Sequence, residues 1–343
     1  MSNRRTVIYL NQNLLETILL FPEDYPELYN LFCYYSEICI DLTDNELDDI
    51  LTDPNNDITQ FISAHDIKLI ALPGYLSRLK ENPQEMMSSN RCVFFLDVSP
   101  EEAISLSQHY GIIVQSLKEP CDSLWGPSFR KTLSKGDQFS WEDLFQYAKL
   151  CPSNSIVIND AYLFSNESGV LGENNVLALL KNLLPKSFSA MFHILIVCQH
   201  PDCADSRCNQ IVGQLKAKLN ALFNYEIALE VFFHPSALHK RRIFMGYQTI
   251  LCDKGFCIFQ KQGKDVFVRD DNEFELRPMF DLRTRDYGDS QYYVDSVDLN
   301  NIRKNCKDAG IRYKANHSDP DVQLAGDYNR NSFSALNRLV NSV

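Results

Sequence analysis

The chain has 343 residues and a formal net charge of -12, with 45% hydrophobic and 23% charged residues. This composition is typical of folded globular proteins and excludes extensive disorder, and the length allows two domains of ordinary size. No apolar run approaches the roughly 18 residues of a membrane-spanning helix, and Asn11 and Glu16 interrupt the N-terminal segment where a signal peptide would be apolar. We therefore expect no membrane segment and a cytoplasmic location.

Acidic residues are concentrated in the first half of the chain. Residues 1–150 contain 11 Lys and Arg against 23 Asp and Glu, whereas residues 151–343 contain 22 of each sign. An acidic first half disfavours broad electrostatic binding of nucleic acid, which depends on Lys and Arg. The charge split and the breaker-rich residues near its boundary predict four segments: an acidic α/β domain over 1–135, a linker with a short helix over 136–154, a second domain over 155–315, and a polar linker with a C-terminal helix over 316–343.

Strand and helix signals alternate in the first segment. Short apolar strands are predicted at 5–10, 38–42 and 67–72, and the clearest unit begins with a buried-type strand, Cys92–Leu96. Ser99 then provides a helix cap, a helix runs to Tyr110 and ends at Gly111, and residues 112–115 form the next strand. A strand, helix and strand in this order predict a parallel sheet, and hence an α/β domain.

Asp97 ends the strand of this unit, and in this respect the segment faintly resembles PIN-like nuclease domains. The resemblance implies acids gathered at the carboxyl edge of a parallel sheet to hold Mg²⁺ or Mn²⁺, with Asp97 as one acid and Asp41 or Glu46 at a middle position. Asn11, however, stands where that family places its first Asp. An amide contributes no charge to a divalent ion, so the residues themselves argue against an active two-metal site, and Asp97 is also explained as a helix-capping residue.

The second half contains longer apolar runs and a predicted hairpin. The predicted elements are strands at 155–160, 193–199 and 227–233, a helix at 208–223, a β-hairpin formed by 242–251 and 255–260 around Asp253-Lys254-Gly255, one or two strands within 265–276, a helix at 298–309 and a short amphipathic helix at 332–339.

The residues at the ends of these strands resemble the phospholipase D-like fold in its single-motif form, similar to the C-terminal domain of MIT-domain proteins. Asp160 and Tyr162 match a strand-end "DxY", and His239 and Arg241 match an "HxR" signature, followed by the turn at Gly255. The resemblance covers about a third of the chain. It implies a mixed-sheet phospholipase D-like domain, so the expected fold class is α/β with two domains, and it implies that His239 and Arg241 share a pocket with Asp160 and Tyr162.

The motif departs from that of phospholipase D enzymes, which use H-x-K-x(4)-D twice. Arg241 takes the Lys position and Gly246 the Asp position, and no other His has a Lys two residues later. Arg binds phosphate in a bidentate manner, so the residues predict phosphate binding by Lys240, Arg241 and Arg242 even where turnover is lost. A homodimer could supply two His239 side chains to one site. The alternative is that these are ordinary polar residues at a strand entrance.

Eleven cysteines are present, most of them within apolar runs where a thiol packs as a small hydrophobic group. Cys198, His200, Cys203 and Cys208 are closely spaced and have the ligand types of a zinc site. They lack the paired C-x(2)-C spacing of a closed tetrahedral site, and four ligands from one short loop are unusual. The sequence therefore predicts no structural metal, and no cofactor motif is found.

Two functions fit these observations. In the first, the chain is a binding or assembly module, in the bacterial defence or mobile-element setting that the two resemblances imply, and it recognises a phosphate-bearing ligand, a nucleic acid or a protein partner without chemistry. In the second, it is a nuclease or phosphodiesterase that uses His239 as nucleophile, with Arg241 and Asp160 beside it. The departures from the catalytic motif favour the first, and a fold alone does not decide the matter.

Overall fold

A five-stranded parallel sheet forms the centre of the first of two units in the computed structural model, which describes residues 6–34, 36–65, 67–89, 91–164, 169–199, 205–278 and 288–341. The first unit comprises the described residues up to Trp125, and the second comprises residues from Gly126 onward apart from Gly288 and Asp289. The chain is thus a two-domain α/β protein with one parallel and one mixed sheet.

The first unit alternates strands and helices, and its strand order is β3-β2-β1-β4-β5 with every pair parallel. Its elements are β1 (Thr6–Leu10), α1 (Gln12–Leu20), α2 (Pro26–Tyr34), β2 (Ser36–Ile40), α3 (Asp44–Thr52), α4 (Asp57–His65), β3 (Leu69–Ala71), α5 (Tyr75–Glu81), a 3-10 helix (Pro83–Ser88), β4 (Cys92–Leu96), α6 (Pro100–Tyr110) and β5 (Ile113–Ser116). The predicted parallel sheet and the unit built from β4, α6 and β5 are confirmed.

Local sequence explains the boundaries of α6. The Ser99 hydroxyl accepts a hydrogen bond from the Glu102 backbone N–H, Pro100 occupies the first turn, and Gly111 ends the helix in the left-handed conformation with φ +63°. Helices α2, α4 and α5 were not predicted. These helices have only seven to nine residues, and helices this short depend on tertiary packing more than on local propensity.

The second unit is centred on an eight-stranded mixed sheet with the order β15-β9-β8-β7-β10-β11-β14-β6. Its elements are β6 (Phe129–Leu133), α7 (Trp141–Tyr147), β7 (Ser155–Asn159), α8 (Gly169–Leu183), β8 (Phe192–Cys198), α9 (Asp205–Leu222), β9 (Ile227–Phe233), β10 (Arg242–Phe244), β11 (Gln248–Cys252), β12 (Phe259–Gln262), β13 (Asp265–Val268), β14 (Asn272–Pro278), α10 (Gly288–Ala315), β15 (Gln323–Gly326) and α11 (Arg338–Asn341). Strands β7, β8 and β9 are parallel, and the other pairs of this sheet are antiparallel.

The hairpin predicted around Asp253-Lys254-Gly255 is wrong. Strand β10 instead turns directly into β11, and the Met245 N–H donates to the Gln248 carbonyl at 2.9 Å to close that turn. Beyond β11 the chain leaves the sheet, and β12 pairs with β13 in a separate two-stranded ribbon. The β-branched and aromatic run from 242 to 251 looks like one strand because both halves are buried.

The unit boundary also differs from the predicted segments. The first unit ends at Trp125, ten residues before the end of the expected first domain, because β6 pairs with β14 of the large sheet. Residues 316–341 are likewise part of this unit. Strand β15 pairs with β9, and Leu339 and Val340 of α11 are buried in the core that contains Val157 and Leu195. The expected helix at 332–339 is replaced by a turn and the four-residue α11.

Candidate functional site

Antiparallel pairing of β7 with β10 brings the predicted site residues together. Asn159, the last residue of β7, lies opposite Arg242, the first residue of β10. Asp160 and Tyr162 follow β7, whereas His239 and Arg241 precede β10, so both pairs lie at the same edge of the sheet. The sequence separation of about 80 residues is closed by this one strand pairing.

Asp160 is the buried centre of this edge. Its carboxylate accepts hydrogen bonds from the Phe256 N–H at 2.8 Å and from the Tyr162 N–H at 3.1 Å, and it lies 4.0 Å from the Arg241 Nε. Burial raises the pKa of Asp160, an effect opposed by the two N–H groups and by Arg241. The Asp160 side chain, which is 2% exposed, therefore connects three segments of the site: its own strand end with Tyr162, the Arg241 segment and the turn before Phe256.

Tyr162, His239 and Arg241 form the accessible part of the site. The Tyr162 hydroxyl lies 3.4 Å from His239 Nδ1, and the two ring centroids are 5.9 Å apart. The Arg241 guanidinium carbon lies 5.7 Å from the Tyr162 ring centroid, and Arg241 also donates to the Asp253 carbonyl. Tyr162 and His239 are exposed, and Arg241 is partly exposed. The arrangement presents a guanidinium, an imidazole and an aromatic ring to solvent, which suits recognition of an anion.

Asn159 holds the His239 segment in place, and its role was missed in the sequence. Its side-chain amide donates to the carbonyls of Leu238 at 2.9 Å and Lys240 at 2.7 Å, the two residues that flank His239. Asn159 is completely buried. An asparagine at the end of an otherwise apolar strand was the available signal, because a buried amide needs partners that a strand interior does not offer.

Arg242 must be removed from the predicted phosphate-binding residues. It is buried, its guanidinium contacts the Asp295 carboxylate at 2.5 Å and the Asp298 carboxylate at 3.2 Å, and Thr249 also donates to Asp295. These contacts attach α10 to β10 and β11. Lys240, by contrast, is exposed and lies 3.4 Å from Asp298, so it can exchange this weak ion pair for a ligand.

Gly255 allows the backbone of its turn to lie close to the Asp160 carboxylate, and replacing Gly255 tests whether this close contact is needed for stability. Its φ is +86°, and an added Cβ would lie 2.5 Å from Asp160 Oδ2. We expect Gly255→Ala to lower the free energy of unfolding by about 2 kcal/mol more than Gly136→Ala does, measured by urea denaturation. Gly136 has φ +88° and open space around it, so it carries the same backbone strain without the contact. Equal losses in the two variants would contradict the proposed close approach.

The N-terminal candidates follow three adjacent strands, but each has a local structural role. Asn11 caps α1 by accepting from the Leu14 N–H at 3.0 Å, and Asp41 accepts from the Gly74 N–H. Asp97 is exposed and forms ion pairs with Lys118 at 3.0 Å and Lys80 at 3.1 Å, and these lysines lower its pKa. The strand order β2-β1-β4 places the three residues at one edge of the sheet.

Neither unit contains a metal-binding cluster among its described residues, which offer no three His, Cys, Asp or Glu side chains arranged to hold an ion. Of the cysteine-rich segment considered above, Cys198 and Cys208 are completely buried. His200 and Cys203 lie outside the described residues, so the four-residue set as a whole is not described. In the parts of the chain that the structure covers, no helix is both long and apolar enough to cross a bilayer.

A second group of buried polar residues lies away from the Asp160 edge: Glu230 is in the middle of β9, and His193 is near the start of β8. Glu230 is completely buried, one of its oxygens accepts from the Leu336 N–H at 2.6 Å, and the other has no hydrogen-bond partner among the described residues. His193 Nδ1 lies 3.0 Å from the Leu336 carbonyl. Leu336 lines a cleft of about 420 Å³ beside the Lys216 and Asp327 ion pair. The sequence signal that was missed is Glu230 itself, a charged residue within the otherwise apolar run Ile227–Phe233, because a buried carboxyl group needs hydrogen-bond partners.

Burial sets the pKa values of these two groups in opposite directions. It raises the pKa of Glu230 to about 7 and, together with the nearby Arg338, lowers the pKa of His193 to about 4. Both side chains contact the backbone of the same residue, Leu336, and neither lies at the edge where His239 is found. The two side chains therefore support the structure of the second unit by fixing the segment that contains Leu336.

No protein-family model matches the chain, and a comparison with curated proteins finds no match.

Proposed function

We propose that the second unit binds a phosphate-bearing ligand at the edge formed by His239, Lys240 and Arg241, without turning it over. The observation that carries the proposal is that two buried residues, Asp160 and Asn159, hold the segment of His239, Lys240 and Arg241 in place. Asp160 orients Arg241 and Tyr162, and Asn159 holds both carbonyls that flank His239. Preorganised donors bind an anion at a smaller entropy cost than freely rotating surface side chains do.

Charge supports a local site over an extended one. Residues 151–343 have equal numbers of basic and acidic side chains, so this half offers no broad positive field. Lys240 and Arg241 provide the charge at the site, and the planar Arg241 fork matches a phosphate in a bidentate manner. A ligand that presents one or two phosphate groups fits this surface better than a long duplex, whose affinity depends on many contacts.

The histidines support binding over hydrolysis. Phosphodiester cleavage of the phospholipase D type needs one imidazole as nucleophile and another as acid. The other described histidines of this unit are engaged elsewhere: His193 with the Leu336 carbonyl, His234 with Asp308 at 2.9 Å, and His317 with the Tyr313 ring. A single described imidazole, His239, is therefore available to a ligand at this edge within one chain.

We expect Arg241→Met to weaken binding of a 5′-phosphorylated abasic tetranucleotide by about tenfold or more, because a charge-assisted bidentate contact is lost. Isothermal titration calorimetry at low salt measures this, and Arg241→Lys should recover only part of the affinity because lysine lacks the fork. Abasic units are chosen so that the probe carries phosphates without bases. Thermal unfolding of each variant shows whether the unit remains folded.

Lys218→Met is the matched control, because Lys218 is an exposed cation on α9, towards the opposite edge of the sheet. Its affinity for the probe should equal that of the unmodified protein. The proposal is contradicted if the probe does not bind, or if Arg241→Met and Lys218→Met weaken binding equally. Cleavage of the probe that is lost in His239→Ala would replace the binding proposal with the phosphodiesterase alternative.

A further inference from the structure

The most unusual side chain at the proposed site is Tyr162. It is 41% exposed although its backbone is fixed by Asp160, and it belongs to the small set of large aromatic or aliphatic side chains that remain exposed. The Tyr162 N–H donates to the buried Asp160 carboxylate, and the hydroxyl lies 3.4 Å from His239 Nδ1, so the backbone and the ring each have a partner. The chain therefore keeps an aromatic ring at a defined place on the surface.

We infer that the phosphate-bearing ligand is the end of a single-stranded nucleic acid, whose terminal base lies against Tyr162 while its phosphate is bound by Arg241. This inference rests on the proposed function and adds the chemical class of the ligand. In a nucleotide, one sugar separates the phosphate from the base. The site offers the matching pair of groups, a guanidinium and an aromatic ring 5.7 Å apart.

Three features favour a nucleotide over other phosphate-bearing ligands. A phosphosugar or inorganic phosphate has no group that uses the exposed ring, whereas every base has a π-face that stacks on tyrosine. His239 adds a second ring, tilted by 47° to that of Tyr162. Arg241 lies beside the Tyr162 ring, where a guanidinium contributes both stacking and charge.

The same features favour a single strand over a duplex or a membrane. A base inside a duplex is already stacked on its neighbours, and unstacking it costs free energy that an isolated ring and two cations offset poorly. An anionic lipid surface is recognised by clusters of four or more Lys and Arg, whereas among the described residues the proposed phosphate contacts are Lys240 and Arg241, with Lys254 exposed in the neighbouring turn. A strand end needs only one phosphate contact and one stacking surface.

The test compares two 5′-phosphorylated tetranucleotides that differ only in their bases, tetrathymidylate and the abasic chain. Wild-type protein should bind tetrathymidylate about fivefold or more tightly, because one stacked base contributes on that scale. Tyr162→Leu should reduce the ratio of the two affinities to about one, whereas Tyr162→Phe should keep it. Thermal unfolding identifies a variant that does not fold, and in that case the ratio measured on wild-type protein decides alone.

The affinities of the two tetranucleotides distinguish loss of the base contact from loss of phosphate binding. Equal affinities for the two chains, both lost in Arg241→Met, would overturn the base contact and leave phosphate binding in place. Absence of binding to either chain would overturn both. Tighter binding to phosphatidylserine vesicles than to tetrathymidylate, removed by Tyr162→Leu, would identify the ring as a membrane contact and contradict the inference.

Discussion

Replacing Asp160 with asparagine should lower the free energy of unfolding by about 3–4 kcal/mol and abolish the proposed phosphate site. The carboxylate accepts from two backbone N–H groups, those of Phe256 and Tyr162, and it lies 4.0 Å from Arg241. An asparagine has one acceptor oxygen, so one buried N–H would face an NH₂ group, and the guanidinium would lose its counter-charge. Urea denaturation measures the loss of stability, and titration with the abasic tetranucleotide measures the loss of binding.

Asp253→Asn is the matched control for this substitution. Asp253 is exposed, and only its backbone carbonyl contacts Arg241, so the change should stay within about 0.5 kcal/mol. A loss in Asp160→Asn no larger than that in Asp253→Asn would show that the buried carboxylate is not what fixes the three segments. The burial that raises the pKa of Asp160 does not reverse the expectation, because the two N–H groups require an acceptor in either protonation state.

Replacing Glu230 with glutamine should stabilise the protein increasingly as the pH rises, by about 3 kcal/mol between pH 4.5 and pH 8 relative to wild type. The folded-state pKa of Glu230 is raised from 4.5 to about 7. The folded protein therefore holds a proton that the unfolded chain releases, and the stability from this group is complete below pH 4.5 and is lost as the pH rises through 7. Glutamine resembles the protonated acid, and its oxygen can still accept from Leu336.

The difference between variant and wild type, measured by urea denaturation at several pH values, isolates Glu230 from the other titrating groups. His193 acts in the opposite direction: its pKa is lowered from 6.5 to about 4, so its contribution is complete above pH 6.5 and is lost as the pH falls through 4. In wild type the two effects nearly cancel between pH 4.5 and 6.5. In Glu230→Gln that balance is removed, and stability should rise with pH across this window.

Exposed Glu226, which precedes β9, provides the control for this pH series. Glu226→Gln should follow the wild-type pH dependence. A difference in free energy of unfolding between Glu230→Gln and wild type that does not change with pH would mean that Glu230 is ionised in both the folded and unfolded states over this range. That result would contradict a pKa of Glu230 raised by burial.

Several elements could be predicted from the sequence because local chemistry specifies them. Strand β4, helix α6 and strand β5 follow from a buried run, the cap at Ser99, Pro100 and the left-handed Gly111, and all lie where the sequence places them. The apolar strands β7, β8 and β9 were predicted for the same reason. Proximity of Asp160, Tyr162, His239 and Arg241 was expected from a resemblance to a known fold, and these side chains do lie together.

What sequence reasoning could not supply depends on contacts between distant residues. Whether an arginine is buried or accessible to a ligand is decided by the elements packed around it. Arg241 and Arg242 are adjacent and chemically identical, yet Arg242, the first residue of β10, is buried against the carboxylates of α10, whereas Arg241, which precedes the strand, is partly exposed. The hairpin predicted around Asp253-Lys254-Gly255 is wrong for a related reason. The Phe256 N–H donates to Asp160, almost a hundred residues earlier in the chain, so the chain leaves the sheet after β11.

The sequence by itself determined the α/β class and the main strands, because periodicity, capping and turn chemistry act over a few residues, whereas the candidate site came from the resemblance of its strand-end residues to a known fold. The tertiary structure decided which cations are accessible and where the units divide. It also decided which backbone groups the buried Asn159 and Glu230 side chains bind. Those properties depend on burial and on partners at large sequence separation. The free energy of a buried polar group is set by the groups around it, which the local sequence does not contain.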